Sequence, residues 1–162
     1  MAANDADAPD SMYIGHVERG FDPFFHQFPF LFTQMATRAL IGLQLTDGSI
    51  LSAYHHWDGY PEWLGVKLNE KFNTKIKVAE LIDGGDMSAC DGDNGRPEYY
   101  SERGENTPPT LCVDLNEFLQ AADCSYGCEY AYHFVDGEWI CHQLNYGPDR
   151  HMVREIPIPV AA

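Results

Sequence analysis

The sequence predicts an α+β domain in which two β-hairpins form an antiparallel sheet of four to five strands, with two to three short helices packed on one face. The first observation is a pair of hairpin-turn dipeptides, Asp47-Gly48 and Asp136-Gly137, each lying between two strand-like runs. The second is a set of segments between the hairpins whose apolar residues recur at helical spacing. The third is the length of 162 residues, which suits one domain.

The two hairpins are predicted from residues 38–45 with 49–55, and from residues 129–135 with 138–144. In both turns Asp and Gly tolerate the positive φ angles that a two-residue connection requires. The strands of the second hairpin alternate well, so that its register can be predicted from the turn. That register places Phe134 opposite Trp139 and Tyr132 opposite Cys141.

Two short helices are predicted to follow the first hairpin. Pro61 suits the first position of a helix over residues 62–72, because proline has no backbone N–H to satisfy there. Asn73 or Thr74 then caps a second helix over residues 75–82. Both helices carry apolar residues on one side, as expected of helices that cover a sheet.

Residues 86–110 are predicted to form a long loop with a short strand at Tyr99-Tyr100, since the segment is rich in glycine, proline and acidic residues. After it, Asp114 and Glu117 have the spacing of a capping box and predict a third short helix that ends at about residue 122.

The chain divides into three parts by composition. Residues 1–34 are predicted to be a disordered or extended arm, acidic at first and rich in phenylalanine and proline over residues 21–34. The folded domain is predicted over residues 35–145, beginning at Met35 just before the first strand. Residues 146–162 contain three prolines and predict an extended tail.

Charge excludes some classes of function. The chain has 10 basic and 25 acidic residues, a formal net charge of -15, and -11 of this belongs to the part after residue 34. Nucleic-acid backbones are bound by clustered Lys and Arg, which this sequence lacks, so we expect no direct nucleic-acid binding. No apolar stretch approaches the length of a membrane-spanning helix, and we expect no membrane association.

The five cysteines indicate a reducing compartment. Their number is odd, and the acidic N-terminus does not resemble a secretory signal, so we expect reduced thiols in a cytoplasm. Cys124 and Cys128 form only one loose pair, whereas structural zinc sites use two tighter pairs. We therefore predict no metal site and no cofactor.

The best candidate site is the polar and aromatic segment His55-His56-Trp57-Asp58-Gly59-Tyr60-Pro61, between the second strand and the first helix. Trp57 or Tyr60 could stack on a planar ligand, His56 could donate a hydrogen bond, and Asp58 could orient it. The same residues also fit a structural role. Asp58-Gly59 is a turn sequence, Asp58 could cap the helix, and the aromatic rings could fill the space between helix and sheet.

Four further residues are candidates for ligand binding. Arg38 and Arg103 are interesting because basic residues are rare here, and an arginine in an acidic domain is either paired structurally or available to an anion. Asp86 and Ser88 follow the pair Gly84-Gly85, which is expected to stop the second helix. The structural alternatives are a solvated loop around Arg103 and a capped turn at Ser88.

The run from Met35 to Gly42, the turn Asp47-Gly48 and the segment His55 to Pro61 together resemble a family of small, uncharacterised proteins of tailed bacteriophages and prophages. That family carries a Cys-His-Trp-Asp-Gly-Tyr-Pro signature, and this chain has His55 in place of the cysteine. The similarity extends through the Gly-Asp-Met-Ser turn to the second hairpin. It implies a phage-encoded protein acting in the cytoplasm of the bacterial host, with no established activity.

Three functions are compatible with these observations. The first is a non-enzymatic phage accessory protein that binds a small, nucleotide-like molecule or a host protein, for instance to counter a host defence. The second is a small hydrolase-like enzyme that uses His56 and Asp58 as an acid/base pair. The third is a minor structural or assembly protein of the phage, and aromatic burial in a homo-oligomer would fit the first or the third.

Overall fold

A computed structural model of the chain describes residues 36–146 and 152–161, without the side chain of Tyr146. The arm predicted for residues 1–34 and the predicted start at Met35 lie outside the described residues. None of the helices in the described ranges is long and apolar enough to cross a membrane.

The fold is α+β, with eight strands in one mixed sheet. The strands are β1 (Ala39–Gln44), β2 (Ile50–His55), β3 (Met87–Ala89), β4 (Glu98–Tyr99), β5 (Thr110–Cys112), β6 (Tyr130–Val135), β7 (Glu138–Tyr146) and β8 (Met152–Ile156). The helices are α1 (Val66–Lys71) after a π-helical turn (Pro61–Gly65), α2 (Lys75–Asp83), and α3 (Leu115–Gln120), which continues into a second π-helical turn (Ala121–Ser125). A 3₁₀ turn follows β4 (Tyr100–Arg103).

Both predicted hairpins are present, and the second has the predicted register. β1 pairs antiparallel with β2, and β6 pairs antiparallel with β7 so that Phe134 faces Trp139 and Tyr132 faces Cys141. In the second turn Asp136 and Gly137 both have positive φ, 52° and 89°, as this turn requires.

The prediction of a purely antiparallel sheet of four to five strands was wrong in part. The strand order is β4-β3-β2-β1-β6-β7-β8, with β5 also paired to β2, and both β1–β6 and β2–β3 are parallel. Parallel neighbours need a long crossover, and the helices between the two hairpins provide it. β3, β4 and β5 have only two or three residues, too few to show a strand period. The segment expected to be an extended tail contributes β8, which pairs with β7.

The prediction that the helices cover one face was also wrong. α1 and α2 pack on the face that carries Ala39, Ile41 and Leu43 of β1, whereas α3 packs on the opposite face beside Leu40. Both faces of β1 are therefore buried, which agrees with a strand that is apolar at nearly every position. Gly42 allows the second layer to approach, because a Cβ there would lie 2.7 Å from the Phe118 ring.

The predicted helix starts are confirmed. The Thr74 hydroxyl accepts a hydrogen bond from the backbone N–H of Lys77, and Asp114 accepts one from the N–H of Glu117 at 2.8 Å. The link between α1 and α2 is held to the sheet by the indole N–H of Trp139, which donates to the Phe72 carbonyl at 2.8 Å. These bonds fix the helical layer against the second hairpin.

A pair of histidines is buried on the α3 face. His133 and His142 are each only 3% exposed, their rings stack with centroids 5.1 Å apart, and Nε2 of His142 lies 3.0 Å from Nδ1 of His133. Burial lowers the pKa of His133 to about 4, helped by the neighbouring His142. Burial also lowers the pKa of His142, against a smaller opposing effect of Glu155 on β8.

We expect acid to destabilise the fold through this pair. Each folded-state pKa is below the unfolded value of 6.5, so the stabilisation is complete above pH 6.5 and is lost as the pH falls towards 4. For His133 alone the loss by pH 4 is about 3 kcal/mol. Urea unfolding at pH 7 and pH 4 should therefore show a smaller pH dependence for His133→Gln than for the wild type. Equal pH dependence in the two proteins would contradict this role of the pair.

Candidate functional site

The predicted signature segment follows the end of β2, beside the neighbouring strand β3. β2 ends at His55, and the next two residues continue beside β3: the N–H of His56 donates to the Met87 carbonyl at 3.1 Å, and the N–H of Trp57 donates to the Ser88 carbonyl at 3.0 Å. Two segments that the sequence singled out separately are thus joined by backbone hydrogen bonds.

The rings of Tyr54, His56 and Trp57 contact one another in a row at the end of β2. The Tyr54 hydroxyl is 2.7 Å from Nδ1 of His56, and the His56 ring meets the Trp57 indole edge to face with centroids 4.5 Å apart. Tyr54 is supported from behind by Tyr126, which stacks on it at 5.4 Å after the end of α3. Trp57 is 43% exposed, so its ring is accessible to a ligand.

Asp86 bonds the end of β2 to two other segments of the chain. Its Oδ1 accepts the N–H of Tyr54 at 2.8 Å, its own N–H donates to the Thr107 carbonyl, and its carbonyl accepts the N–H of Tyr100, both at 3.0 Å. The carboxyl is half-buried, and this burial raises its pKa although the Tyr54 N–H opposes the effect. Asp86 therefore positions the strand and the loop, and it is not a free acid at the surface.

Ser88 holds Arg103 in place. The Ser88 side chain is buried, its Oγ lies 3.2 Å from Oε2 of Glu98, and it accepts a hydrogen bond of 3.2 Å from Nη2 of Arg103. The guanidinium also lies over the Tyr100 ring, 5.5 Å from its centroid, and its Nη2 forms a long ion pair of 3.9 Å with Oε2 of Glu98. The Arg103 side chain is nevertheless 56% exposed, so one face of the cation remains open to solvent.

We call this set of side chains the His56–Arg103 surface. It comprises Tyr54, His56, Trp57, Tyr100 and Arg103, together with Asp86 and the buried Ser88, which hold them through hydrogen bonds. Cavities of about 420 and 340 Å³ lie elsewhere in the fold.

Burial favours the uncharged forms of the tyrosine and the imidazole of this surface. It is the main cause of the lowered pKa of His56, with Arg38 adding to the effect, and of the raised pKa of Tyr54, where Arg38 opposes it. The Tyr54 hydroxyl and Nδ1 of His56 share a hydrogen bond in which either atom can donate. When the hydroxyl donates, the imidazole proton lies on Nε2, and His56 can donate a hydrogen bond in turn.

Arg38 lies beside the surface and is not joined to it by a hydrogen bond in the described part of the chain. Its backbone N–H donates to Oε2 of Glu129 at 2.6 Å, and its carbonyl accepts the N–H of the same residue. The side chain is exposed and affects Tyr54 and His56 electrostatically. Arg38 is thus available at the rim for an anion.

The other residues of the signature, from Asp58 to Pro61, form the turn that leads into the first helical segment. Asp58 is exposed with φ of 55°, and Gly59 donates to the Thr37 carbonyl at 2.8 Å. A Cβ on Gly59 would lie 2.8 Å from that same oxygen, so only glycine fits. Tyr60 is the N-cap of the helix that starts at Pro61, and its side chain makes no capping bond. The structural alternative in which Asp58 caps this helix was therefore wrong.

Two members of the surface were missed from the sequence. Tyr54 lies two residues before His56 on one strand, so the period of two already places both on the same face. Tyr100 precedes Arg103 by three residues, but the 3₁₀ turn that brings them together has no clear sequence signal.

No group of three or more His, Cys, Asp or Glu side chains comes together to hold a metal in the described residues. All five cysteines lie in that range as free thiols, and four of them are buried while Cys124 is exposed. No family model matches this sequence, and no curated protein and no solved structure matches it either.

We expect Gly59→Ala to destabilise the protein by about 2 kcal/mol, because the new methyl group would meet backbone atoms that cannot move aside. Asp58→Asn is the matched control in the same turn and should be nearly neutral, because asparagine tolerates positive φ. Urea unfolding measures both. A Gly59→Ala protein as stable as the wild type would mean that the turn is not packed in this way.

Proposed function

We propose that the His56–Arg103 surface binds a small, planar, anionic molecule of nucleotide-like chemistry, and that the protein acts by binding and not by catalysis. The observation that carries this proposal is the position of Ser88. Its carbonyl accepts a hydrogen bond from the backbone N–H of Trp57, and its hydroxyl accepts one from the guanidinium of Arg103. The residue with the exposed indole and an oriented cation are therefore both bonded to one buried residue.

The chemistry of the surface is complementary to such a ligand. The exposed ring of Trp57 can stack on a base. Beside its long ion pair with Glu98, Arg103 has N–H groups that Ser88 leaves open and that can bind a phosphate. A guanidinium binds phosphate better than an ammonium does. Nε2–H of His56 adds a neutral donor next to the indole. A base and a phosphate would thus each meet a group suited to it.

Binding without chemistry is favoured by the partners of His56. Its Nδ1 is occupied by the Tyr54 hydroxyl, and no hydrogen bond joins it to Asp58 in the described part of the chain. An acid/base pair of His56 and Asp58 needs a positioned proton path between the reacting groups. The residues that are positioned here are donors and rings, which recognise a ligand.

The resemblance of the signature segment to phage proteins suggests where such binding would take place. We propose an accessory protein made in an infected bacterium, where sequestering a nucleotide-like signal would blunt a host defence. The acidic charge of the domain supports a small ligand over a nucleic-acid strand, because a long polyanion would be repelled by it.

We expect AMP and ADP to quench the fluorescence of the wild-type protein, since Trp57 is the exposed one of the three tryptophans. Trp57→Ala should abolish the quenching, and Arg103→Gln should weaken ADP binding about tenfold with a smaller effect on adenosine, because a charge-assisted bond to phosphate is lost. Isothermal titration calorimetry checks both affinities.

Arg96→Gln is the matched control, because Arg96 is an exposed arginine of the neighbouring loop that lies outside the His56–Arg103 surface. It should bind ADP like the wild type. Equal weakening by Arg96→Gln and Arg103→Gln would indicate a general charge effect and contradict a site at Arg103. Absence of binding to AMP, ADP and adenosine alike would contradict the proposed ligand class.

A further inference from the structure

A cavity of about 420 Å³ lies at the opposite end of the sheet from the His56–Arg103 surface. Its apolar lining comes from the ends of the parallel strands β1 and β6, where Leu43 pairs with Phe134, and from the adjoining Leu45 and Val135. Its volume falls within the range of small-molecule sites. An accessible cavity with four large apolar side chains favours an apolar group as its occupant.

The walls of the cavity are rigid. The β1–β2 turn is closed by Asp47, whose Oδ1 accepts hydrogen bonds from the N–H and the hydroxyl of Ser49 at 3.0 and 2.6 Å. The opposite wall is the tight turn between β6 and β7, and the third is the α1–α2 link that Trp139 holds through the Phe72 carbonyl. A site formed by three fixed turns is already shaped before a ligand arrives.

Two opposite charges line this cavity. Lys75 is the first residue of α2, and Asp136 belongs to the β6–β7 turn. In the described part of the chain neither side chain forms an ion pair, although both border the same space. Their charges are therefore not neutralised by direct contact with each other.

We propose that this cavity binds a small zwitterion with an apolar side chain, the chemistry of a free apolar amino acid. The carboxylate binds the Lys75 ammonium, the ligand ammonium binds the Asp136 carboxylate, and the side chain packs on Leu43 and Phe134. Each part of the ligand is thus matched by a group that lines the cavity.

L-phenylalanine and two analogues test the proposal by calorimetry on the full chain. Phenethylamine lacks the carboxylate, and 3-phenylpropionate lacks the ammonium. L-phenylalanine should bind most tightly, with each analogue about fivefold weaker, the scale of one exposed ion pair. Lys75→Gln should weaken L-phenylalanine about fivefold but leave phenethylamine unchanged. Asp136→Asn should weaken L-phenylalanine but leave 3-phenylpropionate unchanged.

Two control variants are available. Lys77→Gln alters a lysine on the same helix that lines the other cavity, and Glu138→Gln alters an exposed acid two residues beyond Asp136. Both should bind L-phenylalanine like the wild type. Equal affinity for all three ligands, absence of binding, or a loss of binding in Lys77→Gln instead of Lys75→Gln would overturn the proposal.

Discussion

The half-buried carboxyl of Asp86 is the point on which the described structure around the candidate site depends. Three groups of Asp86 each bond a different segment. The side chain bonds the last part of β2, the backbone N–H bonds the end of the long loop at Thr107, and the backbone carbonyl bonds the start of the 3₁₀ turn at Tyr100. These bonds add to the pairing of β3 and β5 with β2 in fixing the long loop against the first hairpin. Gly85 makes the arrangement possible, because its φ of 83° and the absence of a Cβ let the Thr107 carbonyl approach.

Local chemistry explains which parts of the fold could be predicted. Asp-Gly turns and helix caps act over a few residues, so both hairpins, the register of the second and the caps at Thr74 and Asp114 could be predicted from neighbouring residues. The parallel pairing of β1 with β6 joins residues about ninety positions apart and has no local signal. The placement of helices on both faces of the sheet did have a local signal. The run from Ala39 to Leu43 contains no polar residue, which is the pattern of a strand buried on both sides.

The same distinction applies to the candidate site. His56, Trp57, Ser88 and Arg103 could be selected from the sequence because rare or reactive residue types stand out near turns. Their assembly depends on the short parallel contact of β2 with β3, for which two or three residues give no period. Residues of the signature have two different roles. His56 and Trp57 belong to the His56–Arg103 surface, whereas Gly59 lets the turn pack against the Thr37 carbonyl. A motif of seven residues thus combines a structural part and a part available to a ligand.

We propose that residues at the end of β2, in β3 and in the 3₁₀ turn act as one ligand-binding surface. The most direct measurement is a titration of the ¹⁵N-labelled full chain with ADP, followed through the backbone amide chemical shifts. We predict that the shifts form one contiguous group at residues 56–57, 87–88 and 100–104. Shifts confined to the other end of the sheet, around residues 43–46 and 134–137, or no shifts at all, would contradict it.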